Sequence, residues 1–161
     1  MVKNLFIVIT VLASVATVLN VNAQGRQQTP EEQAASAVTT RKAVMRVLSF
    51  NTGPINGMAR GQVDFDAALT ERNARRVAAI APMIMETFMA MDTRSYDVET
   101  TALPAIWEDS EGFQEAVDAM VQGANEFAEI AAGGDQNEIM GAIRAFGSNC
   151  GSCHDNFRAD D

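Results

Sequence analysis

Histidine and cysteine are almost missing from this chain: its 161 residues contain one His and two Cys. That excludes a zinc site built from four Cys and His ligands. It also leaves no second imidazole for an acid–base dyad or triad. Tryptophan and tyrosine occur once each, and proline four times. No stretch alternates apolar and polar residues as a half-buried strand would, and no hairpin turn signal appears. Basic residues are outnumbered, 12 against 21 acidic ones, giving a net charge of −9 and a pI of about 4.5. An acidic chain without a Lys/Arg cluster repels nucleic-acid phosphates. The local group Arg72, Arg75, Arg76 is flanked by Glu71 and reads as a solvated helix face.

What is present favours helices. Ala, Met, Glu and Gln are frequent, and the length suffices for one domain with a real core. The first residues stand apart. Met1 to Asn4 carry one positive charge, Leu5 to Leu19 are almost wholly apolar, and Val21-Asn22-Ala23 follows. The apolar run is shorter than the roughly 20 residues a bilayer span needs. The pattern predicts a secretory signal over residues 1–23, cleaved after Ala23. Residues 24–161 are then an exported, periplasmic domain with no membrane-spanning segment.

Four helical segments follow. Thr29-Pro30-Glu31-Glu32 predicts a capped start, with Thr29 and Glu32 as a capping box. The first core stripe is Val38, Arg41, Met45, Leu48, Thr52, Ile55, Ala59, bent at Pro54 and ended by Gly61. The second helix runs from a cap near Asp64 to Met91, with a bend at Pro82. Its apolar side is Phe65, Leu69, Val77, Ile80, Ile84, Phe88, Met91. Met83, Met85, Met89 and Met91 read as packing.

The third begins at Pro104 or Ser110 and stops at Gly133-Gly134. Phe113, Val117, Met120, Ala124, Phe127 and Ala131 form its stripe. The fourth starts at Asp135, with Ile139, Ile143, Phe146, Cys150, Cys153 and Phe157 facing inward. Helices of similar length with short connections predict an all-α, antiparallel four-helix bundle.

Near the end the chain reads Cys150-Gly151-Ser152-Cys153-His154. This is C-x-x-C-H, the pattern that attaches haem c. Two thiols must add to two porphyrin vinyl groups from one side. Positions i, i+3 and i+4 of a helix share a face. The neighbouring imidazole then reaches the iron as proximal ligand, making His154 the metal residue and Cys150 and Cys153 the attachment points. Three other uses of the pair compete. A redox dithiol prefers a thioredoxin-like α/β context. A zinc site lacks a fourth ligand. A disulfide here would close a very small loop, which gains little.

With these residues in view, the chain resembles the class II c-type cytochromes, the cytochrome c′ family, over about residues 31–158. Three stretches carry the likeness. Cys150-Gly151-Ser152-Cys153-His154-Asp155-Asn156-Phe157-Arg158 matches the family's C-x-x-C-H-x-x-aromatic-basic ending. Pro104-Ala105-Ile106-Trp107 looks like the P-x-I-W opening of its third helix. Arg41-Lys42-Ala43-Val44-Met45 looks like the first-helix R-x-x-x-M/L that faces the haem.

The resemblance implies one covalent haem c, a periplasmic location and no enzyme chemistry. It implies Arg41 beside a haem propionate, where a cation on an apolar stripe finds an anionic partner. It implies Arg158 near His154, and Met45 on the distal side of the iron. Met45 as sixth ligand gives a low-spin electron carrier with redox partner proteins; this is the first expectation. The alternative is a five-coordinate protein that binds nitric oxide or another small gas. Trp107 is expected to pack rather than relay electrons. The family's habit of pairing through its first two helices also raises a homodimer.

Overall fold

A computed structural model describes residues 27–160, and the proposed signal segment lies outside them. Among the described residues six helices are formed: α1 Pro30–Ala59, α2 Ala67–Ile80, α3 Pro82–Met89, α4 Ala105–Glu108, α5 Ser110–Ala132 and α6 Gln136–Phe157. The pair α2–α3 acts as one broken rod, so α1, α2–α3, α5 and α6 make the four-helix bundle. None of the helices among the described residues is long and apolar enough to cross a membrane.

The ends are set by local chemistry. Thr29 accepts the Glu32 N–H at 3.2 Å, and the Glu32 carboxylate accepts the Thr29 N–H at 2.9 Å, closing the expected box. At the other end of α1 the Gln62 N–H bonds Gly57 O at 2.9 Å and the Gly61 N–H bonds Met58 O at 3.0 Å. This is the Schellman pattern, and Gly61 takes the left-handed conformation it requires, φ 65°. Asp66, rather than Asp64, caps α2, because its carboxylate reaches the Leu69 N–H at 2.8 Å. Asp135 caps α6 by accepting from Asn137 and Glu138.

The two interior prolines behave differently. α1 continues through Pro54. At Pro82 the helix is interrupted: Ala81 closes α2 onto Val77 O, and Pro82 opens α3 from the first-turn position where its missing N–H does no harm.

The core stripe of α1 is buried at Val38, Arg41, Leu48 and Ile55 as expected, but Val44, Asn51 and Met58 replace Met45, Thr52 and Ala59. Val44, Leu48, Asn51, Ile55 and Met58 are buried, while Thr52 is half-buried and Ala59 exposed. α1 packs chiefly on α2 and α3, and Val44 is buried while Met45 is half-buried. Met83 and Met89, expected to pack, are 44% and 37% exposed. The α5 stripe is buried as expected.

A run of edge-to-face rings ties the elements together. Trp107 of α4 lies 6.2 Å from Phe88 of α3, Phe88 lies 5.3 Å from Phe113 of α5, and Phe113 lies 5.1 Å from Phe157 of α6. Lower in the bundle Phe127 stacks on Phe146 at 4.7 Å.

Candidate functional site

The C-x-x-C-H run occupies the last two turns of α6. Two devices hold it in place. Phe157, three residues past His154, is buried against Phe113. The tail then pairs with the segment before α4: Leu103 N–H donates to Phe157 O at 3.0 Å, and Ala159 N–H donates to Thr101 O at 2.8 Å. Residues 102 and 158 thereby form an isolated antiparallel bridge. On the α5 side, Gly123 lets the helices approach, since a Cβ there would overlap the Asn149 amide.

Cys150, Cys153 and His154 are all half-buried, as is Ile143 two turns earlier on the same side of α6. Both cysteines pack on the main apolar core, and neither is disulfide-bonded. Burial pushes both thiols above their ordinary range, with Cys150 adding to the effect at Cys153. Burial also pushes the His154 imidazole down, helped by the charge of Arg158 and opposed by Asp155. Two thiols and one imidazole thus stand together at one helix end, with burial disfavouring the charged form of each. That donor set fits a covalently attached haem, which needs thiols to add to vinyl groups and an uncharged imidazole for iron.

Met45 comes from α1, which touches α6. It is half-buried and packs on the same core cluster as the two cysteines. Its sulfur takes no hydrogen bond among the described residues. By contrast the Met58 sulfur accepts from the Asp66 N–H at 3.1 Å.

Arg41 makes contacts with the protein that the sequence did not announce. Its guanidinium is buried, 3% exposed, and turned to the end of α3. Nε donates to Thr87 O at 3.1 Å, Nη1 to Thr93 Oγ1 at 2.9 Å, and Nη2 to Phe88 O at 3.3 Å and to Met91 O. Its charged carbon lies 4.8 Å from the Phe88 ring centroid and 5.4 Å from that of Trp107. Four of the five N–H groups of a guanidinium are thus taken by the protein. Burial lowers its pKa, and Asp92 opposes this.

Arg158 closes the attachment helix. It does not extend the helical face of His154, because its backbone is extended (φ −127°, ψ 133°) and it caps α6. Its charge still reaches the imidazole. Trp107 is half-buried, and its Nε1–H donates to Phe88 O at 3.2 Å, a packing role. Sequence reasoning missed Thr93 and the Phe88 carbonyl as partners of Arg41. Nothing in a polar connection marks one threonine as buried, and backbone acceptors carry no sequence signal.

The family model described as Cytochrome C′ matches residues 36–158. A cytochrome c′ from Cereibacter sphaeroides is 34% identical over 126 residues, covering 78% of this chain and 84% of that protein. A cytochrome c-554 from the same species is 31% identical over 122 residues, covering 75% and 79%. The solved cytochrome c′ of Shewanella frigidimarina superposes with a TM-score of 0.70 at 32% identity, covering 80% of this chain and 98% of that one. The chain belongs to the cytochrome c′ family, haem proteins that hold one covalent haem c.

Proposed function

We propose that the chain works as a periplasmic, non-enzymatic, gas-binding monohaem protein in which Met45 guards the side of the iron opposite His154. Cys150 and Cys153 would hold the porphyrin as thioethers, and His154 would supply a ring nitrogen to its iron. When bound, haem c supplies a redox-active iron with affinity for small gases such as nitric oxide. The residues of the chain orient it. Phe157 and the pairing of residues 102 and 158 fix the end of α6, and burial, with the charge of Arg158 adding to it, pushes the imidazole pKa down.

One observation carries the reading. Met45 is the partly buried α1 hydrophobic that packs on the core shared by both cysteines, and the chain has no second histidine. Met45 would therefore offer a haem iron no more than a thioether, a weak ligand that would leave the iron accessible to a small gas.

Electron transfer with Met45 bonded to iron is a second reading, and with it go redox partner proteins. It is favoured by the Met45 sulfur being free of hydrogen bonds. Absorption spectra of the purified holoprotein decide. A high-spin spectrum that shifts with nitric oxide supports gas binding. A low-spin spectrum with a methionine–iron band, lost in Met45→Ala and unmoved by nitric oxide, replaces it with electron transfer. The homodimer expected from the family concerns α1 and α2, where Val47 and Phe50 are 46% and 75% exposed; sedimentation of wild type and Phe50→Lys tests it.

A further inference from the structure

Arg41 is the one buried side chain with full formal charge among the described residues, and the attachment chemistry does not use it. It lies four residues before Met45, one turn earlier on α1. We infer that Arg41 is the positioning residue for Met45: by locking α1 to the C-terminal end of α3 it fixes where the Met45 thioether stands against the haem. The inference rests on Met45 facing the iron, as proposed above.

The geometry supports a lock rather than simple filling. A helix leaves its last carbonyls without intrahelical partners. α3 has no basic residue in its own last turn, so Arg41 serves those carbonyls from another helix. Its bonds to Thr87 O, Phe88 O, Met91 O and Thr93 Oγ1 converge from one planar group. The plane is further held over Phe88 and Trp107. Such a fork resists both sliding and rotation of α1. One residue of slip moves a helix by about 1.5 Å and turns it by about 100°.

Met45 needs this support. It is half-buried beside the buried Val44, and its sulfur takes no hydrogen bond among the described residues. Methionine has three rotatable bonds and adapts readily, so the helix that bears it decides its place. Lys at position 41 keeps the charge but cannot reproduce the planar fork.

A double-mutant cycle tests the inference. Carbon monoxide is titrated into ferrous holoprotein of wild type, Arg41→Lys, Met45→Ala and the double variant. Ferric absorption spectra and amide hydrogen exchange of residues 41–48 are recorded alongside. The expected result is a change in affinity of roughly tenfold for Arg41→Lys in the wild-type background, with altered ferric bands and faster exchange. In the Met45→Ala background Arg41→Lys then changes affinity less than about twofold.

Equal changes in both backgrounds, or none in wild type, overturn the inference and leave Arg41 as a structural clamp. Met45→Ala with no effect on affinity or spectrum instead sinks the distal placement of Met45, which is the earlier reading. If Arg41→Lys fails to take up haem, Thr93→Val replaces it in the cycle, removing one acceptor of the fork with little change of shape; the same two outcomes apply.

Discussion

Phe157 stands edge-on to Phe113, ring centroids 5.1 Å apart and planes at 73°, and this contact fastens the last turn of the attachment helix to α5. Both rings are buried, at 8% and 2% exposure. The residue that ends the motif is therefore also a core residue, and attachment and folding share it.

Phe157→Ala removes the ring contact and leaves a cavity at the tip of α6. A loss of about 3 kcal/mol is expected, the usual scale for Phe→Ala in a core. Urea unfolding of the holoprotein measures it. Phe157→Leu keeps most of the volume and loses about 1 kcal/mol. A loss for Phe157→Ala no larger than for Phe157→Leu would show that the ring contact does not hold the helix end.

The thiol pair gives a prediction on the cofactor itself. Cys150→Ala with Cys153→Ala leaves His154 but no covalent anchor. Intact mass after expression with cytochrome maturation machinery should equal that of the bare polypeptide, and denaturing gels should show no haem stain. Each single variant keeps one thioether and should stain. Haem that stays attached through denaturation in the double variant contradicts the attachment chemistry.

The bundle, its caps and the attachment motif were legible because each rests on local pattern. Thr29, Asp135 and the α5 stripe announce themselves through spacing over a few residues. Arg41 was legible only as an anomaly, a cation among apolar positions. Its partners lie 46 to 52 positions away in sequence, and three of the four acceptors are backbone carbonyls. The shift of the α1 stripe from Met45 to Val44 was hidden for a similar reason. Both residues are apolar, and only the packing of α1 on α2 and α3 chooses between them. The shift of the α2 cap from Asp64 to Asp66 depended on which carboxylate meets the Leu69 N–H.

Asn51 offers a test in the opposite direction. Its side chain is buried between α1 and α2, Nδ2 donates to Val47 O at 2.8 Å, and Oδ1 has no partner. The neighbouring Asn73 amide bonds the Asn51 backbone carbonyl, not this oxygen. A buried acceptor without a donor carries a desolvation cost of about 1–3 kcal/mol. Asn51→Leu, close in shape, deletes that cost while sparing the Asn73 bond. A gain of about 1 kcal/mol in urea unfolding is expected. A clear loss would mean that a bound water satisfies Oδ1 in solution.

Asp92 contributes to the acid limb. The Arg94 guanidinium and backbone N–H hold its carboxyl below the ordinary carboxylate range, with Arg41 adding a weaker pull. The folded state therefore binds the proton less readily than the unfolded chain. The stabilisation is complete above the unfolded carboxylate pKa and is lost as pH falls through the lower folded one. The side chains of Asp92 and Arg94 are 43% and 39% exposed, so solvent screening limits the contribution to under about 1 kcal/mol. Urea midpoints of wild type and Asp92→Asn should differ slightly at pH 7 and converge near pH 2, with the wild type higher at neutral pH. A constant gap at both pH values would assign the difference to lost packing or hydrogen bonding, not to the charge on Asp92.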